Sequence, residues 1–85
     1  MIYLLCFLNA HHIGMESLSK RLGYRIKKLR QFHTDLTQYA FAEQCGFTQA
    51  YMSRLERGVA NPSLHALETV ASALNVPIEQ LFKDL

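Results

Sequence analysis

Eighty-five residues, nearly half of them apolar, suffice for one compact core and exclude two. No tryptophan, four glycines and two prolines favour a helical bundle over a sheet protein. The net charge of +2 says little, but it is divided: residues 1–58 carry +4 and residues 59–85 carry −2, which suits one half to a polyanion and the other to solvent or a partner.

The chain opens on an apolar run over residues 2–8. A membrane span needs about 20 apolar residues, so this run is too short for one. It also lacks the positive flank and small-residue cleavage site of a secretory signal. Three readings stand: a product of start-site choice with Met15 as the natural start, a disordered tail, or a β-strand that pairs across a dimer to hide its apolar side chains. Residues 1–16 are therefore set apart as an N-terminal extension, and residues 17–85 as the domain. His11 and His12 read as an exposed linker, because adjacent histidines point apart and no third ligand follows at helical spacing. His33 and His65 read as surface residues. Cys6 and Cys45 show neither disulfide framework nor metal spacing, which fits a reducing, cytoplasmic compartment, with Cys45 a small core residue.

Leu18, Leu22, Ile26 and Leu29 recur at four, four and three, one stripe of a first helix. Lys20, Arg21, Arg25, Lys27, Lys28 and Arg30 lie mostly off that stripe, either as a solvated face or with Arg25 and Lys28 touching phosphates. Thr37 is a good N-cap for a second helix, Gln38–Cys45, with Phe41, Ala42 and Cys45 inward and Gly46 at a left-handed end. Thr48 caps a third helix, Gln49–Arg57, with Met52 and Leu55 inward, and Gly58 stops it. Ser63 caps a fourth, whose inward face is Leu64, Leu67, Val70, Ala71 and Leu74, and Asn75 ends it. Pro77 opens a last short helix with Ile78, Leu81 and Phe82 inward. The expectation is an all-α, compact five-helix domain.

Residues 38–58 form a unit: short helix, glycine turn, short helix. In such a helix-turn-helix the first helix crosses the DNA backbone, and the second enters the major groove with its N-terminal side chains at base edges. Gln49 suits adenine and Arg54 suits guanine through bidentate bonds, Ser53 lies beside Arg54, and Ala50 is small enough to meet a thymine methyl. There is no nucleophile–base pair, phosphate-binding glycine loop or paired carboxylate set, so no enzyme is expected, no metal and no cofactor.

Together, Leu36-Thr37-Gln38, Phe41-Ala42-Glu43-Gln44-Cys45-Gly46-Phe47-Thr48-Gln49, Tyr51-Met52-Ser53-Arg54-Leu55-Glu56-Arg57-Gly58, Asn61-Pro62-Ser63-Leu64, Leu67 and Leu74-Asn75-Val76 resemble the Cro/phage-repressor (XRE-type) helix-turn-helix family. The resemblance covers about residues 20–83 and implies roles for matched positions. Gln49, Ala50, Arg54 and, beside them, Ser53 would read bases. Gln38, Thr48, Tyr51, Arg57 and Asn61 would contact the DNA backbone, Gln38 also supporting the reading helix. Arg30 and Glu56 would form an ion pair tying the first helix to the third. The chain departs from the family in residues 32–35, a connection one residue longer than usual, in Phe41 and Cys45 at leucine positions, and in residues 2–8, which have no counterpart.

The function so implied is a homodimeric, sequence-specific transcriptional regulator on a (pseudo)palindromic operator, Cro-like or controller-protein-like. There is no room for a sensor domain, so regulation would come from occupancy, promoter overlap or RNA polymerase contact. The alternative is an antitoxin-type interaction module that neutralises a toxin.

Overall fold

Each helix begins where a side-chain hydroxyl can catch a free backbone N–H. Ser17, Thr37, Thr48 and Ser63 accept from the amides of Lys20, Ala40, Tyr51 and Ala66. They start helices α1 (Leu18–His33), α2 (Gln38–Cys45), α3 (Gln49–Arg57) and α4 (Leu64–Leu74) in the computed structural model, which describes residues 17–85. A hydroxyl cap of this kind is worth about 1 kcal/mol. Left-handed residues end three of the helices: Gly46 at φ 75° after α2, Gly58 at φ 77° after α3 and Asn75 at φ 59° after α4. Asparagine tolerates that conformation better than most side-chain-bearing residues.

The fifth helix differs from expectation. Among the described residues there are four α-helices, and residues Ile78–Phe82 form a 3-10 turn instead. The tighter i to i+3 pattern begins with the Gln80 amide donating to the Pro77 carbonyl. A 3-10 turn repeats every three residues, so Ile78 and Leu81 share a side while Phe82 swings off it. Leu81 is fully buried and Phe82 is exposed, which corrects the inward assignment of Phe82. Leu18 and Leu64, also expected inward, are exposed. Each is the first residue of its helix. Side chains lean toward the helix N-terminus, so theirs reach past the packed surface. No strand occurs among the described residues. The strand expected within residues 1–16 lies outside them.

The core draws one or more buried residues from every element: Ile26 from α1, Phe41 from α2, Met52 and Leu55 from α3, Val70 from α4 and Leu81 from the 3-10 turn. α1 lies against α3, α4 and the 3-10 turn, and α2 packs between α3 and α4. Phe41 and Cys45 are buried, so the two departures from leucine are absorbed within one core.

Gly23 sits in the middle of α1 and is buried. A Cβ there would lie 2.4 Å from the Leu55 carbonyl oxygen and 2.7 Å from that of Glu56. The missing side chain lets α1 approach the backbone of α3 directly. Gly23→Ala raises helix propensity but forces the two helices apart, and overpacking of this kind costs about 1–3 kcal/mol. The variant should unfold at a lower urea midpoint than the parent; an unchanged or higher midpoint contradicts the close approach.

Burial pushes the Cys45 thiol up from 9 to about 11. A raised thiol pKa favours the protonated form in the folded state. Its stability contribution is therefore complete below pH 9, the unfolded value, and is lost as pH rises toward 11. At pH 8 Cys45 should resist iodoacetamide in the native protein and react once urea unfolds it, as peptide mapping of the modified site would show.

Candidate nucleic-acid interface

What orients α3 is a buried ion pair. The Arg30 guanidinium of α1 donates from Nε to Glu56 Oε2 at 2.8 Å and from Nη2 to Glu56 Oε1 at 3.1 Å. Both residues are buried, with the Glu56 side chain only 1% exposed. Arg30 Nη1 donates to the Leu36 carbonyl at 3.1 Å, and Gln38 Nε2 donates to Glu56 Oε1 at 3.0 Å. No buried side-chain nitrogen or oxygen among the described residues lacks a partner. Phe32 and His33, expected in a longer connection over residues 32–35, instead form the end of α1, and the chain leaves the helix at Thr34. The Thr34 hydroxyl donates to the Arg30 carbonyl at 2.7 Å and accepts from the Leu36 amide at 3.1 Å.

The far end of α3 is held by Gly58. A Cβ on Gly58 would meet the Lys20 Cα at 2.4 Å, so the turn after α3 presses on the start of α1. With Met52, Leu55 and Glu56 buried, the helical repeat turns Ala50, Arg54 and Arg57 outward, with Gln49 and Ser53 on one flank. Gln49, Ala50, Arg54 and Arg57 are exposed, and Ser53 is half-buried. Arg57 Nε donates to Ser53 Oγ at 3.3 Å, one helical turn back.

The remaining expected residues come from α3 and its cap, the first position of α2 and the loop before α4. Thr48 is exposed at the α3 N-cap, its hydroxyl accepting from the Tyr51 amide at 3.0 Å. Tyr51 is half-buried and meets Phe47 edge-on, ring centroids 5.0 Å apart. Asn61 is exposed in the loop before α4. Gln38 is half-buried and committed to Glu56, so of its two amide hydrogens one holds the carboxylate and one remains for another acceptor.

Arg25 is used differently from the sequence expectation. Its Nε donates to the Gln80 carbonyl at 2.9 Å and its Nη2 to Gln80 Oε1 at 3.1 Å, clamping the 3-10 turn to α1. Lys28 lies over the Tyr24 ring, 5.2 Å from its centroid. Sequence reasoning missed Gly23 and this clamp. A glycine inside an otherwise regular helical stripe was the available signal for the first. Nothing in residue order signalled the second, a contact across 55 positions.

A helix-turn-helix family model, HTH_3, matches residues 26–81. The chain belongs to this family. It is a DNA-binding transcription regulator of the XRE type rather than an enzyme. It is 38% identical over 71 residues to the control protein C.MunI of Mycoplasma sp, covering 84% of this chain and 96% of that one. It is 38% identical to the immunity repressor of Bacillus phage phi105 over 71% of this chain, which spans 41% of the repressor. Among solved structures, the restriction-modification controller protein C.AhdI of Aeromonas hydrophila superposes with a TM-score of 0.71 at 32% identity, over 74% of this chain and 94% of that one. Among the described residues no helix is long and apolar enough to cross a membrane, and no cluster of three or more His, Cys, Asp or Glu could hold a metal ion.

Glu56→Ala leaves the Arg30 guanidinium buried without its carboxylate and should cost about 3–5 kcal/mol in urea unfolding. The double replacement Arg30→Met, Glu56→Leu removes both charges and should recover most of that loss. Equal stability of the single and double variants would show that the pair contributes through volume alone.

Proposed function

We propose that the protein is a sequence-specific regulator that binds a (pseudo)palindromic operator as a homodimer, in the manner of a controller protein. The observation that carries this reading is the outer face of α3. Gln49, Arg54 and Arg57 are exposed and Ser53 half-buried, and none belongs to the buried core, while the buried face is held by Glu56. In this reading Gln49, Ala50, Arg54 and the neighbouring Ser53 read bases. Gln38, Thr48, Tyr51, Arg57 and Asn61 set position on the phosphates. The match to nearly the whole of a control protein supports the controller-type reading. One domain makes few base contacts, so useful affinity needs two half-sites about one helical turn apart, and a dimer supplies the second reader. The site of action is the cytoplasm.

Selection of bound duplexes from a random pool tests this directly. The expected outcome is two related half-sites in inverted repeat. A single enriched half-site bound by a monomer, or no enrichment, would sink the proposal. Gln49→Ala and Arg54→Ala should relax base preference at one position per half-site, each by about 1–3 kcal/mol. Thr48→Ala should weaken binding to all sequences alike. Affinity should fall steeply between 50 and 200 mM salt, on the order of 10³-fold if about six phosphates are contacted. The antitoxin-type alternative, with its toxin as partner, predicts little response to salt in complex formation.

A further inference from the structure

We infer that Ser53 and Arg57 act as a single donor unit that selects an acceptor-bearing base, guanine first, and excludes cytosine at one position of each half-site. The inference rests on the DNA-reading role proposed for α3. It assigns a chemical preference to that surface, and gives Arg57 a part in specificity that its phosphate role does not include.

The geometry is local. Ser53 and Arg57 stand one helical turn apart on α3, and the Arg57 Nε–H points at Ser53 Oγ at 3.3 Å. A serine hydroxyl carries one hydrogen and two lone pairs and by itself can read either a donor or an acceptor. Here one lone pair already accepts from a cation. The guanidinium beside it polarises the O–H toward donation and repels any further positive group that approaches. The outward edge of the pair therefore offers the hydroxyl hydrogen and the guanidinium N–H groups left free by the Ser53 bond. In the major groove, guanine presents N7 and O6, both acceptors, and thymine presents O4. Cytosine presents its N4 amino group, a donor that meets a donor and a positive charge. Ala50, one turn toward the helix N-terminus on the same side, has no long side chain to block a base from reaching the pair. Arg57 thus sets what Ser53 can recognise, and a phosphate can still be held by the guanidinium edge that faces away from the hydroxyl.

The test is the random-pool selection repeated with four proteins: the parent, Ser53→Ala, Ser53→Thr and Arg57→Met. Methionine keeps a long apolar stem but donates nothing. In the parent, one half-site position should favour guanine over cytosine by roughly three- to tenfold, the reach of a single hydrogen bond. Ser53→Ala and Arg57→Met should flatten the same position to near parity and leave the positions governed by Gln49 and Arg54 unchanged. Ser53→Thr keeps the hydroxyl and should keep the preference. If Arg57→Met lowers affinity but leaves cytosine excluded, Ser53 reads without Arg57 and the inference is overturned. If Ser53→Ala changes no position, Ser53 does not read and the inference is overturned as well. A parent protein that enriches no sequence would overturn the DNA-reading role itself, an outcome distinct from both.

Discussion

The paired charges of Arg30 and Glu56 are the constraint around which the rest is arranged. Removing a guanidinium and a carboxylate from water is costly, and the cost is offset only when every donor and acceptor finds a partner. That requirement is met by two parallel bonds between the pair, by the Leu36 carbonyl and by the Gln38 amide. An apolar patch between α1 and α3 could tolerate a slip along the helix. A buried carboxylate that accepts from two sides cannot. The pair therefore contributes uniqueness of orientation more than raw stability, and Gly23 supplies the space that lets the two backbones come close enough for it to form.

α1 serves as the shared girder. On one flank it presents Arg30 and Gly23 to α3, and on the other it clamps the 3-10 turn through Arg25. This divides the basic run on α1 into unlike parts. Arg25 and Arg30 are structural, their guanidiniums spent on hydrogen bonds inside the domain, while Lys28 rests on Tyr24. A count of cations along the helix overstates what is available to a polyanion, because charge in a sequence does not reveal which residues are already engaged.

Much of the fold was legible in residue order. The hydroxyl caps Thr37, Thr48 and Ser63 and the left-handed ends at Gly46, Gly58 and Asn75 are local chemistry, set within a few residues, and they placed the boundaries of α2, α3 and α4. The misread residues are those whose fate depends on something non-local. Leu18 and Leu64 fit the helical repeat but stand at helix starts, where the packed surface ends. Phe82 fits an α-helical stripe that a 3-10 turn does not make. The exposure of Gln49, Ala50 and Arg54 was also legible, since it follows from their spacing on a short helix. Two couplings were not. The Gln38 bond to Glu56 needs α2 and α3 packed together, and the Arg57 bond to Ser53 depends on which rotamer a long side chain adopts.

The separation of the two faces of α3 bears on how such a protein can diversify. Its inner face, Met52, Leu55 and Glu56, is locked into the core and into the ion pair. Its outer face carries exposed side chains with no core contact, where most substitutions change stability by less than about 0.5 kcal/mol. Mutational drift can therefore rewrite the outer face one residue at a time without passing through an unfolded intermediate sequence. Lineages descended from one ancestral scaffold can diverge in target while remaining interchangeable in architecture.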